Sequence, residues 1–198
     1  MSKPMTGDIK ALKNENRRRG DDMRFVGIDS STKTGLCILD QFGNLIDAFE
    51  ITSEEADPVR MCEIIGTTME NLEPNDLIGI EGFGFASSSG FVLGGIGWGM
   101  RMDMFQSGHK YIEIAPSQLK KFASGKGTTK KDELAVHIYK HWGFEHPSDN
   151  VRDAYVLAQI VRAIRTGSAA TKYQKEVVEA VLAPKVKKTK KRGGKNAG

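Results

Sequence analysis

Two short apolar runs, each closed by a carboxylate, constrain this chain more than any other feature. Arg24-Phe25-Val26-Gly27-Ile28-Asp29 and Asp76-Leu77-Ile78-Gly79-Ile80-Glu81 both read as core strands that end on an acid. A bare charge at the end of a buried strand is strongly unfavourable, so such a group is usually paired or bound to metal. Further along, Asp149 and Asp153 stand four apart in Asp149-Asn150-Val151-Arg152-Asp153-Ala154 and share one face of a helix. Three separated segments each bring acid to the end of a core element. An α/β domain assembles oxygen ligands around a divalent cation in this way.

The pattern between these acids predicts the architecture. Residues 24–29, 35–39 and 45–51 read as an antiparallel meander with a turn over 40–44. A helix follows from Asp57-Pro58, with Pro at its first position and Met61, Ile65, Met69 and Leu72 as its buried stripe. Residues 76–81 have the apolar character of a central strand covered on both faces, and 110–114 form a fifth strand. A short helix runs from Pro116 through Phe122. Thr129 can cap the next, whose apolar positions are Leu134, Ala135, Ile138 and Trp142. The last long helix spans 149 to about 166, with Val151, Ala154, Leu157, Ala158, Val161 and Ile164 toward the core, and 168–183 read as one more amphipathic helix. The order implies an α/β fold: a mixed five-stranded sheet with helices on both faces.

Residues 86–105 are ambiguous. Their length and apolar content suit a helix, yet Gly90, Gly94, Gly95, Gly97 and Gly99 each cost roughly 1 kcal/mol relative to Ala there. The segment is either a broken helix or loop, or a place where small residues admit another backbone, from a partner subunit or DNA.

The 198 residues suit one domain with tails. Charge is unevenly spread. Residues 185–198 hold seven Lys or Arg and no acid, residues 1–22 hold six against four acids, and the body between them is net acidic. Basic arms on such a body suit a polyanionic partner, bound with an affinity that falls steeply with salt; a merely solubilising tail is the alternative. No run is long enough to span a membrane and the N-terminus lacks the apolar centre of a secretory signal. Cys37 and Cys62 have no metal-ligand spacing and read as small core residues in a reducing cytoplasm.

Gly27-Ile28-Asp29 with Gly35, Ile80-Glu81, Ala115-Pro116-Ser117-Gln118-Leu119-Lys120, Gly125-Lys126-Gly127 with Lys131, and Asp153-Ala154 occur in the order seen in RuvC-type Holliday-junction resolvases. Over about residues 24–166 the chain resembles that family, its phage-encoded branch most of all. The resemblance implies a ribonuclease H-like fold for residues 23–167; charge and periodicity predict a flexible charged arm (1–22) before it and a C-terminal helix (168–184) with a basic disordered tail (185–198) after it. It implies a homodimer that uses Mg²⁺ or Mn²⁺, two ions per active site, to nick branched DNA: four-way junctions, and by extension flaps and Y-forks. Carried over by position, Asp29, Glu81 and Asp153 become metal ligands and catalytic residues, and Lys120 and Lys131 lie near the scissile phosphate. Lys126 and Lys130 join Lys120 as DNA contacts. Phe83 and Phe85 match a region of base contact, although core packing explains them equally. Bacterial members carry a further Asp three residues before the last, where this chain has Asn150. The fourth ligand role is assigned to Asp149, with the Asn150 amide oxygen as the alternative.

Two other readings compete. Gly27-Ile28-Asp29-Ser30-Ser31-Thr32-Lys33-Thr34-Gly35 looks like the first phosphate loop of actin-type ATPases and sugar kinases, but those repeat the fold in two lobes and no second loop is visible. A non-catalytic DNA-binding module using the basic arms leaves the carboxylates without a role, because acid near phosphate is repulsive without metal. His137 and His141, one turn apart, lack a third ligand and read as helix-face residues. His146 precedes the last long helix closely enough to reach the site.

Overall fold

A computed structural model describes residues 23–83 and 90–183. The arm over 1–22, Phe85 and the basic tail over 185–198 lie outside the described residues.

Five strands form one sheet: β1 (Phe25–Asp29), β2 (Thr34–Leu39), β3 (Leu45–Ile51), β4 (Leu77–Glu81) and β5 (Tyr111–Ile114), in the order β3-β2-β1-β4-β5. The meander pairs antiparallel, whereas β1 with β4 and β4 with β5 run parallel. The alternating side chains of β1 and β4 feed two cores. Val26, Ile28, Ile78 and Ile80 face α1 (Val59–Glu70) and α2 (Gly90–Gln106). Phe25 and Leu77 face the opposite core, built on α5 (Asp149–Thr166) with α3 (Pro116–Ser124), α4 (Lys131–Trp142) and α6 (Lys172–Leu182). The mixed five-stranded α/β sheet with helices on both faces is the one expected. Among the described residues, no helix is long and apolar enough to cross a membrane.

Several local expectations are corrected. Pro58 stands one place before α1 rather than in it. The buried line of α1 is Ile64 and Thr68, while Met61, Ile65, Met69 and Leu72 are only partly covered, because the helix meets α2 along its flank. Cys62 is exposed; Cys37 is buried. Thr129 does not cap α4. Its hydroxyl is buried against Ser124 Oγ at 2.6 Å and donates to the Lys126 carbonyl at 2.9 Å, so it closes the 124–129 loop, and Lys130 takes the cap position with no side-chain bond.

The glycine-rich segment is an unbroken helix over Gly90–Gln106. A Cβ on Gly95, Gly97 or Gly99 would come within 2.9, 2.7 and 2.3 Å of Met61, Phe83 and Ile65. These glycines seat α2 against its own chain. Gly90 and Gly94 have open space beside them.

Candidate active site

The parallel register of β1 and β4 aligns Ile28 with Ile80, so Asp29 and Glu81 end their strands side by side. Both share the face of Phe25 and Leu77, beneath α5. Helix α5 reaches that face because β1, β2 and β4 lack a Cβ where it crosses. A Cβ on Gly27 would stand 1.9 Å from the Ala154 carbonyl oxygen, and one on Gly35 2.1 Å from that of Asn150. Gly79 is similarly close to Val161 and Leu157. This approach brings Asp153, one residue before Ala154, within electrostatic reach of Asp29 and Glu81.

Asp29 is buried, Glu81 and Asp153 are half-buried, and carboxylates that feel one another's charge in such a place resist ionisation. Asp29 is 7% exposed. Burial first, then the charge of Glu81 and a hydrogen bond to it, hold Asp29 well above the usual carboxylate range. Glu81 is also raised, by burial and then by Asp153, against the opposing effects of the bond from Asp29 and of Lys120 and Lys131. Both shifts, with the hydrogen bond between the two side chains, favour a proton held by the Asp29–Glu81 pair. Asp153 is pushed up to about 7 by burial and by Asp29, with Lys131, Lys120 and Arg152 pulling the other way.

The same three acids and two lysines thus form one electrostatic unit. Lys131 is largely exposed at the first position of α4, and its Nζ lies 3.1 Å from Asp149 Oδ2. Asp149 is also bonded by Arg152, whose other nitrogen donates to the His146 and Pro147 carbonyls. Asn150 turns its amide toward the β1–β2 turn, donating to the Lys33 carbonyl at 2.6 Å and Ser31 Oγ at 3.4 Å. Asp149 lines one cleft with Asp153, Lys131 and Arg152, whereas the Asn150 side chain is turned to the β1–β2 turn. Lys126 and Lys130 are exposed beside the 124–129 loop.

Phe83 is half-buried against α2. Its ring stacks on Trp98 at 5.3 Å between centroids and lies 4.2 Å beneath the Arg101 guanidinium. Arg101 is the residue that sequence reasoning missed. It is 3% exposed and donates to Glu113 Oε1 at 2.8 Å, the Gly97 carbonyl at 2.8 Å and the Glu81 carbonyl at 2.9 Å, which ties α2 to the end of β4. A cation after a long uncharged stretch of an apolar helix was the available signal. The histidines stand apart from the trio. His141 Nε2 bonds Tyr173 at 2.9 Å, His137 faces Glu133, and His146 Nδ1 accepts from the Ser148 amide at 3.1 Å.

Among the described residues, no group of three or more His, Cys, Asp or Glu is set in a geometry ready to hold a metal ion. The donor chemistry nevertheless fits a hard divalent cation. These are carboxylate oxygens held close enough to disfavour one another's ionisation, and a cation among them would relieve that repulsion.

The fold is that of two solved structures. Thermus thermophilus RuvC matches with a TM-score of 0.59 and 19% identity over 74% of this chain and 98% of that one. T. thermophilus RuvC in complex with Holliday junction substrate matches with a TM-score of 0.59 and 18% identity over the same shares. A fowlpox virus resolvase bound to Holliday junction DNA is more distant, at a TM-score of 0.46 and 11% identity over 69% of this chain and 95% of that one. No family model matches the sequence, and no curated protein does.

Proposed function

We propose that this chain is a structure-selective endonuclease of the RuvC type, phage-encoded, that nicks Holliday junctions and other branched DNA in the host cytoplasm with Mg²⁺ or Mn²⁺. The observation that carries the reading is the meeting of Asp29, Glu81 and Asp153 beneath α5 with Lys120 and Lys131 at their edge. Buried acids held together at the carboxyl end of a sheet have little structural use, and ligands bind at that edge in open α/β folds. The RuvC fold of the chain adds support.

In this reading Asp29, Glu81 and Asp153 hold the cations, two per site. A bound divalent ion supplies a lowered water pKa and charge for the departing 3′-oxygen. The protein's own groups do the rest. Cation binding there would favour the ionised form of Asp29, which burial and Glu81 otherwise disfavour. Lys120 and Lys131 face the scissile phosphate and offset the charge it gathers. Asp149 holds the Lys131 ammonium at the rim. The loop lysines Lys126 and Lys130, with the basic arms over 1–22 and 185–198, follow the DNA backbone. The 23–167 body carries the chemistry.

The active species is a homodimer joined through α2. Phe91, Trp98, Met102 and Phe105 lie on one helical face and are all exposed, a stripe that a twofold copy of the same helix would cover. Two sites related by a twofold axis suit paired nicks across a four-way junction.

The test is a labelled synthetic four-way junction beside a matched linear duplex, each with Mg²⁺ and with EDTA. Symmetric nicking of the junction alone, only with metal, is the expected result. An uncut junction across Mg²⁺ and Mn²⁺ concentrations overturns the reading.

A further inference from the structure

The first turn of α5 carries two polar side chains, Asp149 and Asn150, at the positions from which a fourth ligand would come. We propose that Asn150 is a positioning residue, bracing the β1–β2 turn against α5, and that its side chain does not ligate the cation. The proposal rests on the reading of the buried trio as a metal centre and deepens it.

What the amide faces fixes which of its ends is which. Asn150 Nδ2 lies 2.6 Å from the Lys33 carbonyl oxygen and 3.4 Å from Ser31 Oγ. A backbone carbonyl only accepts, so the group facing it must be the NH₂ end. An Asp in this place would set a carboxylate against that carbonyl with no proton to share. The chain thus has an asparagine where a donor is needed.

The turn is built to receive this brace. Ser31 Oγ also accepts from the Lys33 amide at 3.0 Å, and the Thr34 hydroxyl donates to the Ser31 carbonyl at 2.7 Å. Immediately after the turn, Gly35 lets the Asn150 backbone lie against β2. Turn and helix are therefore joined twice, once by backbone contact and once by the amide. Asp29 closes β1 two residues before Ser31, so the setting of the turn fixes the Asp29 carboxylate relative to Asp153 on α5. Asp149, its neighbour, pairs instead with Lys131 and Arg152.

The experiment uses the full chain with Asn150→Asp and Asn150→Ala. In metal-free protein, hydrogen exchange is followed over residues 30–35. Mn²⁺ alone is titrated calorimetrically, and kcat and KM are measured on a four-way junction. Both variants are expected to raise exchange at the turn and to lower kcat roughly 10- to 100-fold with KM within about twofold, and the aspartate is not expected to bind Mn²⁺ more tightly. If Asn150→Asp tightens Mn²⁺ binding about tenfold or raises kcat above the parent, the side chain ligates and the proposal is overturned. Unchanged exchange at the turn in both variants overturns it as well. Failure of the parent protein to cut junctions is a different result: it removes the nuclease reading, whereas exchange at the turn still reports on the brace.

Discussion

Gly27 lies directly beneath Ala154, so close that a single methyl group on Gly27 would overlap the Ala154 carbonyl oxygen at 1.9 Å. The absent side chain is what allows α5 to lie on β1, and the distance from Asp153 to Asp29 follows from it.

Gly27→Ala is accordingly expected to destabilise the fold by about 3 kcal/mol or more, since backbone rather than a pliable side chain must give way. Gly90→Ala, with nothing within 4 Å of the new methyl, is expected to be neutral or slightly stabilising. Urea unfolding of the two variants checks the contrast.

Asp29→Asn separates a nuclease from a DNA-binding module. Junction affinity by gel shift should be retained or slightly tightened, because one acid facing phosphate is gone, while metal-dependent cleavage falls by more than about 100-fold. Cleavage at the parent rate would remove Asp29 from the chemistry.

The buried acids make metal-free stability depend on pH in a particular direction. Asp29, Glu81 and Asp153 all hold protons more tightly folded than unfolded, Asp153 with a value of about 7. Between the unfolded carboxylate value near ~4 and that folded value, the native state binds more protons, so stability falls as pH rises. In EDTA the melting temperature should drop from pH 5 to pH 8, and Asp153→Asn should flatten the drop. Mg²⁺ should reverse it at pH 8 by binding the ionised trio. A melting temperature that rises over this interval in EDTA would contradict the assignment.

The α2 stripe predicts a dissociable dimer. Trp98 is 58% exposed, so Trp98→Glu should leave the fold intact and shift the protein to monomer in sedimentation equilibrium. Junction nicks should then be unpaired. A parent protein that is monomeric at all concentrations would refute this surface.

Removal of residues 185–198 takes away seven positive charges and no negative ones. Junction affinity should weaken, and its dependence on salt should become shallower by about 1 in log–log slope for each DNA phosphate that the tail no longer neutralises. Fluorescence anisotropy at several salt concentrations measures both quantities, and identical slopes would deny the tail any role in binding.

Much of this fold was legible because its signals are local. A strand that ends in an acid, a meander with a turn at Asp40 to Asn44, and the apolar spacing of α5 are each written within a short stretch of chain. Errors arose where a residue had competing partners. Thr129 has the chemistry of a cap, but Ser124 and the Lys126 carbonyl lie nearer. Other details needed the packed chain: Asp149 and Asp153 share a helix face and one cleft, as their spacing predicts, but packing alone pairs Asp149 with Lys131 and sets Asp153 beside Asp29. That Asp149 carries an acid is plain from the sequence; which neighbours claim that acid is not.

By itself the sequence determined the order of the elements and the residue types that end them, because hydrophobic periodicity and turn chemistry act over short distances. Tertiary structure alone decided which of the acids come near one another, that Arg101 ties α2 to the end of β4, and that the glycines of α2 seat it on Met61, Phe83 and Ile65. These depend on the crossing of distant segments, where the approach of one backbone to another sets the dielectric and the available partners, and no pattern along the chain encodes that separation.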